Sequence, residues 1–274
     1  MENLKALSFE LRKDVVDMIY KAKTGHIGGD FSVMDILVTL YFKHMNVSPE
    51  TANDPNRDRF ILSKGHSVES LYCVLAKKGF FEKSELETYS QFKSKFIGHP
   101  NNKISGIEMN SGSLGHGLSV SVGMALAGRM DQSSYRVYTV MGDGELAEGS
   151  VWEGVMAAGN YKLDNLTAVV DRNRLQISGG TEEIMAQDNQ DERWSSFGWN
   201  VIHAEGNNID SLDQAFQIAK EFKGKPTVII ADTTKGYGVS FMENKAAWHH
   251  RIPTEEEYQQ ALAELEQRRV AAYE

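Results

Sequence analysis

Tyr138-Thr-Val-Met-Gly142-Asp143-Gly144-Glu-Leu-Ala-Glu148-Gly149, read with Leu166-Thr-Ala-Val-Val-Asp171-Arg-Asn173-Arg-Leu175, decides the fold. Each acidic turn follows a short β-branched, apolar run, the pattern of a buried parallel strand ending at its carboxyl edge. Asn173 follows Asp143 by 30 residues, the length of one strand–helix–strand unit. Both side chains are therefore expected at the same edge of one sheet, where open α/β folds bind ligands. A carboxylate and an amide oxygen suit a hard divalent cation that also grips a diphosphate, and flanking glycines admit phosphate oxygens to the backbone. Taken alone, Gly-Asp-Gly also suits a strand-end turn that caps a helix. The second strand with its Asn favours the ligand.

Outward from this centre, strands alternate with helices. Leu4, Leu7, Leu11, Val15, Met18 and Ile19 give residues 4–23 helical spacing, with a stop at Thr24-Gly25. A loop through Gly25-His26-Ile-Gly28-Gly29-Asp30 is expected, then a helix from Val33 to Tyr41. Arg59–Leu62 reads as a strand, Val68 to about Lys77 as a helix, and 95–112 as an irregular segment long enough to suggest function. Gly115-His116-Gly117 opens a small-residue helix to about Arg129. Strands at 136–141, 166–170, 199–204 and 227–232 alternate with helices at 149–161 and 211–222. Thr254 and Glu257 read as the capping box of an exposed, charged terminal helix. The fold class is α/β, a three-layer parallel sheet, with 1–274 as one domain.

Composition excludes several functions. A chain of 274 residues that is 41% apolar can bury a large core. The single Cys73 rules out an internal disulfide, and no Cys/His cluster has zinc spacing. The net charge of −9 argues against a nucleic-acid surface. Neither a secretory segment nor a membrane span is visible, so a cytoplasmic location is expected. No G-x-G-x-x-G follows the first strand, which argues against a dinucleotide binder. Fewer than one of eight histidines would follow one of the 24 glycines by chance; His26, His66, His99 and His116 all do. Imidazoles on glycine hinges suit proton transfer in a pocket.

The central run resembles the thiamine-diphosphate motif, and Gly142-Asp-Gly-Glu-Leu-Ala-Glu148-Gly-Ser-Val-Trp-Glu resembles its transketolase version. Lys23-Thr-Gly25-His26-Ile-Gly28-Gly, Asp58-Arg-Phe-Ile-Leu-Ser63-Lys-Gly65-His66, Gly98-His99-Pro100, Asn110-Ser-Gly112-Ser-Leu114-Gly115-His116-Gly117 and Ala247-Trp248-His249 resemble that family's loops, in order. The resemblance implies that Asp143, Asn173 and the Leu175 carbonyl hold Mg2+ (or Ca2+ or Mn2+). It puts His66, His249, Gly142 and Gly144 at the diphosphate, and Gly112, Ser113 and Leu114 at the aminopyrimidine. His26, His66, His99 and His249 become the catalytic histidines, and Glu148 positions the loops or simply starts a helix. Asp30-Phe31 stands where small residues are usual, implying a pocket above His26 of altered size and charge. His116 replaces a common glutamine, and His250 a common glycine.

In such enzymes the carboxylate that activates the pyrimidine comes from a second, pyrimidine-binding domain, so the resemblance is to the N-terminal subunit of a split transketolase. It implies two-carbon ketol transfer from a ketose to an aldose, phosphorylated or otherwise, and a C-terminal partner subunit, most simply as α2β2. Rivals are an α-type subunit of a thiamine-dependent 2-oxoacid dehydrogenase or decarboxylase, a deoxyxylulose synthase fragment, and a non-catalytic cofactor-binding assembly subunit. The first would not need the histidine loops, Trp248-His249 weighs against the second, and a scaffold needs no proton shuttles.

Overall fold

The computed structural model describes residues 3–274. In chain order it forms α1 (Leu4–Ala22), α2 (Ile27–Thr39), β1 (Arg59–Leu62), α3 (Val68–Lys78), α4 (Gly117–Met130), β2 (Val137–Gly142), α5 (Gly149–Asn160) and β3 (Leu166–Arg172). A small hairpin, β4 (Leu175–Gln176) and β5 (Gly179–Gly180), and two short helices, α6 (Thr181–Ile184) and α7 (Gln190–Ser196), come next. The chain ends with β6 (Asn200–Glu205), α8 (Ile209–Glu221), β7 (Thr227–Asp232) and α9 (Glu255–Ala271). The five long strands pair in parallel in the order β1-β2-β3-β7-β6.

The period-two alternation of a strand explains the three layers. Tyr138, Val140, Val169 and Ile229 face one core with α1, α2, α3 and α8. Val137, Met141, Val170, Val228 and Ile230 face the other, with α4, α5 and α7. Apolar on both faces, the strands must be covered on both. The register aligns Gly142 with Asp171 and Asp171 with Ala231, so the carboxyl ends of β2, β3 and β7 finish level and their loops converge.

Three sequence expectations need correction. The second helix begins at Ile27, not Val33, and Gly28, Gly29 and Asp30 form its first turn. Glycine disfavours a helix, but close packing outweighs that preference here. A Cβ on Gly28 would lie 2.6 Å from the Trp248 carbonyl oxygen, so only glycine lets α2 approach that turn. The terminal helix has the expected Thr254–Glu257 capping box. It is not merely exposed: Ala261 and Leu265 are buried, and it docks on α1 through the Tyr20–Tyr258 stack and the Lys13–Glu266 bridge. The hairpin, α6 and α7 add structure to a stretch whose sequence carries no periodic signal. Among the described residues no helix is long and apolar enough to cross a membrane.

Candidate functional site

β2 and β3 deliver the two acidic turns to one edge, as their spacing requires. Asp143 is 2% exposed; its Oδ1 accepts the Gly144 N–H at 2.9 Å and its Oδ2 accepts the Arg174 backbone N–H. Asn173 is buried; its Oδ1 accepts the Leu175 N–H at 3.1 Å and its Nδ2 donates to Ser32 Oγ at 3.3 Å. Burial, then the nearby Asp171 carboxylate, pushes Asp143 up to about 6. An acid so placed gains most from a cation. One carboxylate, one amide oxygen and the Leu175 carbonyl form an all-oxygen donor set suited to a hard divalent ion. These residues fit the cation that the sequence implies.

Two lysines belong beside this edge: Lys64, inside the Ser63–His66 run, and Lys235, which no motif marks. Lys64, at the end of β1, is 1% exposed and ion-paired with the fully buried Asp171. Asp171 also accepts from Ser32 Oγ at 2.6 Å and from Thr233 Oγ1. That carboxylate is therefore committed to holding the loops after β1, β3 and β7 together. Lys235, beyond β7, is buried; its ammonium donates to the Leu175 carbonyl at 3.2 Å and lies 3.0 Å from His249 Nδ1. Burial, then repulsion from Lys64, lowers it to about 8. A buried ammonium with only neutral hydrogen-bond partners suits an added anion. Only a lysine following the strand 227–232 could have signalled it in sequence.

The histidines predicted to meet do meet. The His26 ring centroid lies 5.5 Å from that of His66, 6.0 Å from His99 and 5.7 Å from His249. His250, although exposed, joins them 4.7 Å from His26, and His66 stacks on His249 at 5.2 Å. Burial is the first cause that lowers all four principal members: His26 to about 4, His249 to about 3, with His66 and His99 also below the usual imidazole range. At neutral pH His26, His66, His99 and His249 are uncharged and can donate or accept protons in the cleft. The Lys235 contact makes His249 Nδ1 an acceptor, which leaves its proton on Nε2. His26 Nδ1 is buried without a hydrogen-bond partner, as expected of a group awaiting a ligand.

The loop from Asn110 to His116 closes the other side, with Gly112 and Leu114 half-buried and Ser113 exposed. Its backbone is hydrogen-bonded by Glu145. Glu145 is 2% exposed and accepts the Gly115 N–H at 2.8 Å, the Gly142 N–H at 3.2 Å and the Ser63 hydroxyl. Glu148 is exposed at the start of α5 without a side-chain cap. A Cβ on Gly115 would lie 2.7 Å from Glu148 Cβ, so the loop also packs on the base of this side chain, while the 3-10 turn Gly144–Ala147 aims the earlier acid inward. His116 is exposed, its Nδ1 within 3.2 Å of the Ser113 and Leu114 carbonyls. Asp30 does not line the cleft: it is fully buried in the α2–α3 seam, where it accepts the Ser70 N–H at 2.8 Å.

Comparison with known proteins agrees with this geometry. The sequence model of the family described as "Transketolase, thiamine diphosphate binding domain" matches residues 5–267. The chain is 48% identical over 268 residues to an apulose-4-phosphate transketolase subunit of Phocaeicola vulgatus, covering 98% of this chain and 95% of that one. It is 42% identical over 257 residues to a 6-deoxy-6-sulfo-D-fructose transketolase subunit of Clostridium sp. (strain MSTE9), covering 93% and 94%. The crystal structure of transketolase from Campylobacter jejuni superposes with a TM-score of 0.91 at 29% identity over 99% of this chain. This chain spans 46% of that enzyme's length.

Proposed function

The chain belongs to the transketolase family, as a thiamine diphosphate-binding domain, and from that membership we propose that it is one half of a two-chain transketolase. It transfers a two-carbon ketol unit from a ketose to an aldose. The observation that carries the reading is the convergence of His26, His66, His99 and His249 on the strand ends that present Asp143 and Asn173. A thiamine-dependent 2-oxoacid dehydrogenase subunit would need the second pair but not the four imidazoles.

Asp143, Asn173 and the Leu175 carbonyl hold magnesium, with calcium or manganese as substitutes of the same hard-cation chemistry. The Lys235 ammonium, beside the Leu175 carbonyl and His249, would offset diphosphate charge, with His66, His249 and the Gly144 N–H as neutral hydrogen-bond donors. The Gly142 backbone leaves room beside it. Gly112, Ser113 and Leu114 would meet the aminopyrimidine, Leu114 through its backbone. Thiamine diphosphate, once bound, supplies a nucleophilic carbon that stores the two-carbon fragment between the two half-reactions. His26, His99 and His249, neutral at pH 7, hold donor hydroxyls and move their protons. Relatives named for a phosphorylated and a sulfonated sugar favour an anionic sugar as substrate.

The partner is a C-terminal, pyrimidine-binding subunit, and α2β2 the simplest assembly. Two relatives are named as subunits, and the Campylobacter enzyme is about twice as long. Residues 1–274 act as one domain, cytoplasmic in location. The test is ketol transfer with magnesium and thiamine diphosphate, by this chain alone and with the pyrimidine-domain chain added. The expected result is silence alone and turnover when mixed. Substantial turnover by the lone chain refutes the shared site.

A further inference from the structure

Asp30 and Glu69 are both 0% exposed, and their carboxyls lie against each other across the α2–α3 seam. Asp30 Oδ1 accepts the Ser70 N–H, and Glu69 Oε1 accepts the Tyr89 hydroxyl at 2.5 Å. The remaining oxygens, Asp30 Oδ2 and Glu69 Oε2, are buried and reach no N–H or O–H donor. Two touching carboxylates in that environment cannot both be ionised, so a proton must lie between them. Burial first, and then each acid's proximity to the other, raises Asp30 well above the usual range; burial raises Glu69. Around the pair stand His26 from the turn before α2, Tyr72 and Cys73 of α3, Tyr89, and beyond Cys73 the Asp14–Lys83 bridge. No Lys or Arg among the described residues pairs with either acid.

The pair lies directly under the cleft. A Cβ on Gly25 would sit 2.8 Å from Glu69 Oε1, and the His26 backbone N–H faces the same carboxyl. One helical turn along α3, the Tyr72 hydroxyl reaches the carbonyls of Ile97 at 3.0 Å and His99 at 3.1 Å. α3 thus touches the backbone of both turns that carry sugar-facing histidines.

We propose that Asp30 and Glu69 form a proton-sharing pair, carrying one net negative charge, that positions the Gly25–His26 turn for donor binding. Neither acid touches substrate; both act through His26, and their role in turnover rests on the function proposed for that residue. The singly charged pair accepts from the turn, whereas a second ionisation would place unbalanced charge in the seam and loosen it.

Two arms of the test need neither cofactor nor substrate. With Asp and Glu labelled at the side-chain carboxyl carbon, the chain should show by NMR one carboxyl still protonated at pH 7, and this signal should vanish in Glu69→Gln. The His26 ring resonances should shift in Glu69→Ala and return in Glu69→Gln, whose amide donates to Asp30 and still accepts from the turn. The third arm uses the chain with its partner subunit. There Glu69→Ala should lower kcat/KM for the ketose about tenfold, leave cofactor affinity within about twofold, and be largely rescued by Glu69→Gln. Absence of a protonated carboxyl at pH 7, or wild-type His26 resonances in Glu69→Ala, overturns the proposal. His26→Ala, run in parallel, separates the two readings. If it is kinetically silent, the donor-binding role of His26 fails. If it is defective while Glu69→Ala is silent, the positioning pair fails.

Discussion

Replacing Lys64 by methionine should destabilise this chain severely, although it removes neither a metal ligand nor a histidine. The Lys64 ammonium is 1% exposed and paired with an Asp171 carboxylate that is 0% exposed, and it also donates to the Gly29 carbonyl at 3.0 Å. Methionine fills the aliphatic volume but leaves Asp171 charged and buried without a cation. Removing one member of such a pair costs about 3–5 kcal/mol. Asp171 keeps the hydroxyl donors Ser32 and Thr233, so the lower end, about 3 kcal/mol, is expected. That is a large part of the roughly 5–15 kcal/mol that stabilises a folded domain. The cost should depend on pH. Acid neutralises the orphaned charge, so the variant should be nearest wild type in acid and fall behind as pH rises. Lys64→Met with Asp171→Asn should recover most of the loss, since the amide is neutral and still accepts from the hydroxyls. Urea unfolding followed by tryptophan fluorescence at pH 5 and pH 8 reads wild type and both variants. A single variant within about 1 kcal/mol of wild type at pH 8, or a double variant no better than the single, refutes the reasoning.

Asp143→Ala should abolish magnesium-dependent thiamine diphosphate binding by calorimetry while leaving the fold intact, and Asn173→Ala should weaken binding less because it removes a neutral ligand; normal binding by the Asp143 variant would overturn the cation assignment. His66→Ala should raise the cofactor concentration needed for activity, whereas His26→Ala and His99→Ala should lower turnover about 10²-fold at saturating cofactor; full rescue of His26→Ala by extra cofactor would reassign that residue. The cluster should also make the chain acid-sensitive. His26 and His249 titrate near 4 and 3 when folded, against about 6.5 unfolded, so between those values the unfolded chain takes up protons that the native one refuses. The imidazole contribution should therefore fall as pH drops below about 6.5, by about 1–2 kcal/mol per imidazole after solvent screening, opposed by the raised carboxyls of Asp143, Glu145, Asp14 and the Asp30–Glu69 pair, so the comparison with the double histidine variant isolates it. Melting curves of wild type and His26→Asn/His249→Asn from pH 7 to pH 4.5 check this, and equal slopes would count against it.

Local chemistry and periodicity made much of this protein legible without coordinates. Apolar runs ending in Gly-Asp-Gly and Asp-Arg-Asn specify strands and their carboxyl-end turns, because burial on both faces leaves no alternation in the strand. The interval from Asp143 to Asn173 then specifies that the turns meet. Glycine before histidine marks the hinges, and the Thr254–Glu257 box is written within four residues. Whatever depends on a neighbour far along the chain had to wait for the folded layers. Glu145 and Glu148 are three residues apart and chemically alike; only the approach of Ser63 and Gly115 selects the first. Gly28 and Gly29 read as a loop because the carbonyl of Trp248, over 200 residues away, is what rewards a helix without side chains. Lys64 stood inside the Ser63–His66 run without a role and Lys235 had no motif, since each takes its meaning from partners elsewhere in the fold. Asp30 was visible as a departure, but whether it charged the cleft or paired with Glu69 depended on the rotation of α2 against α3. Local sequence fixes backbone preference and spacing, whereas the partner of a buried charge is fixed only when the layers close.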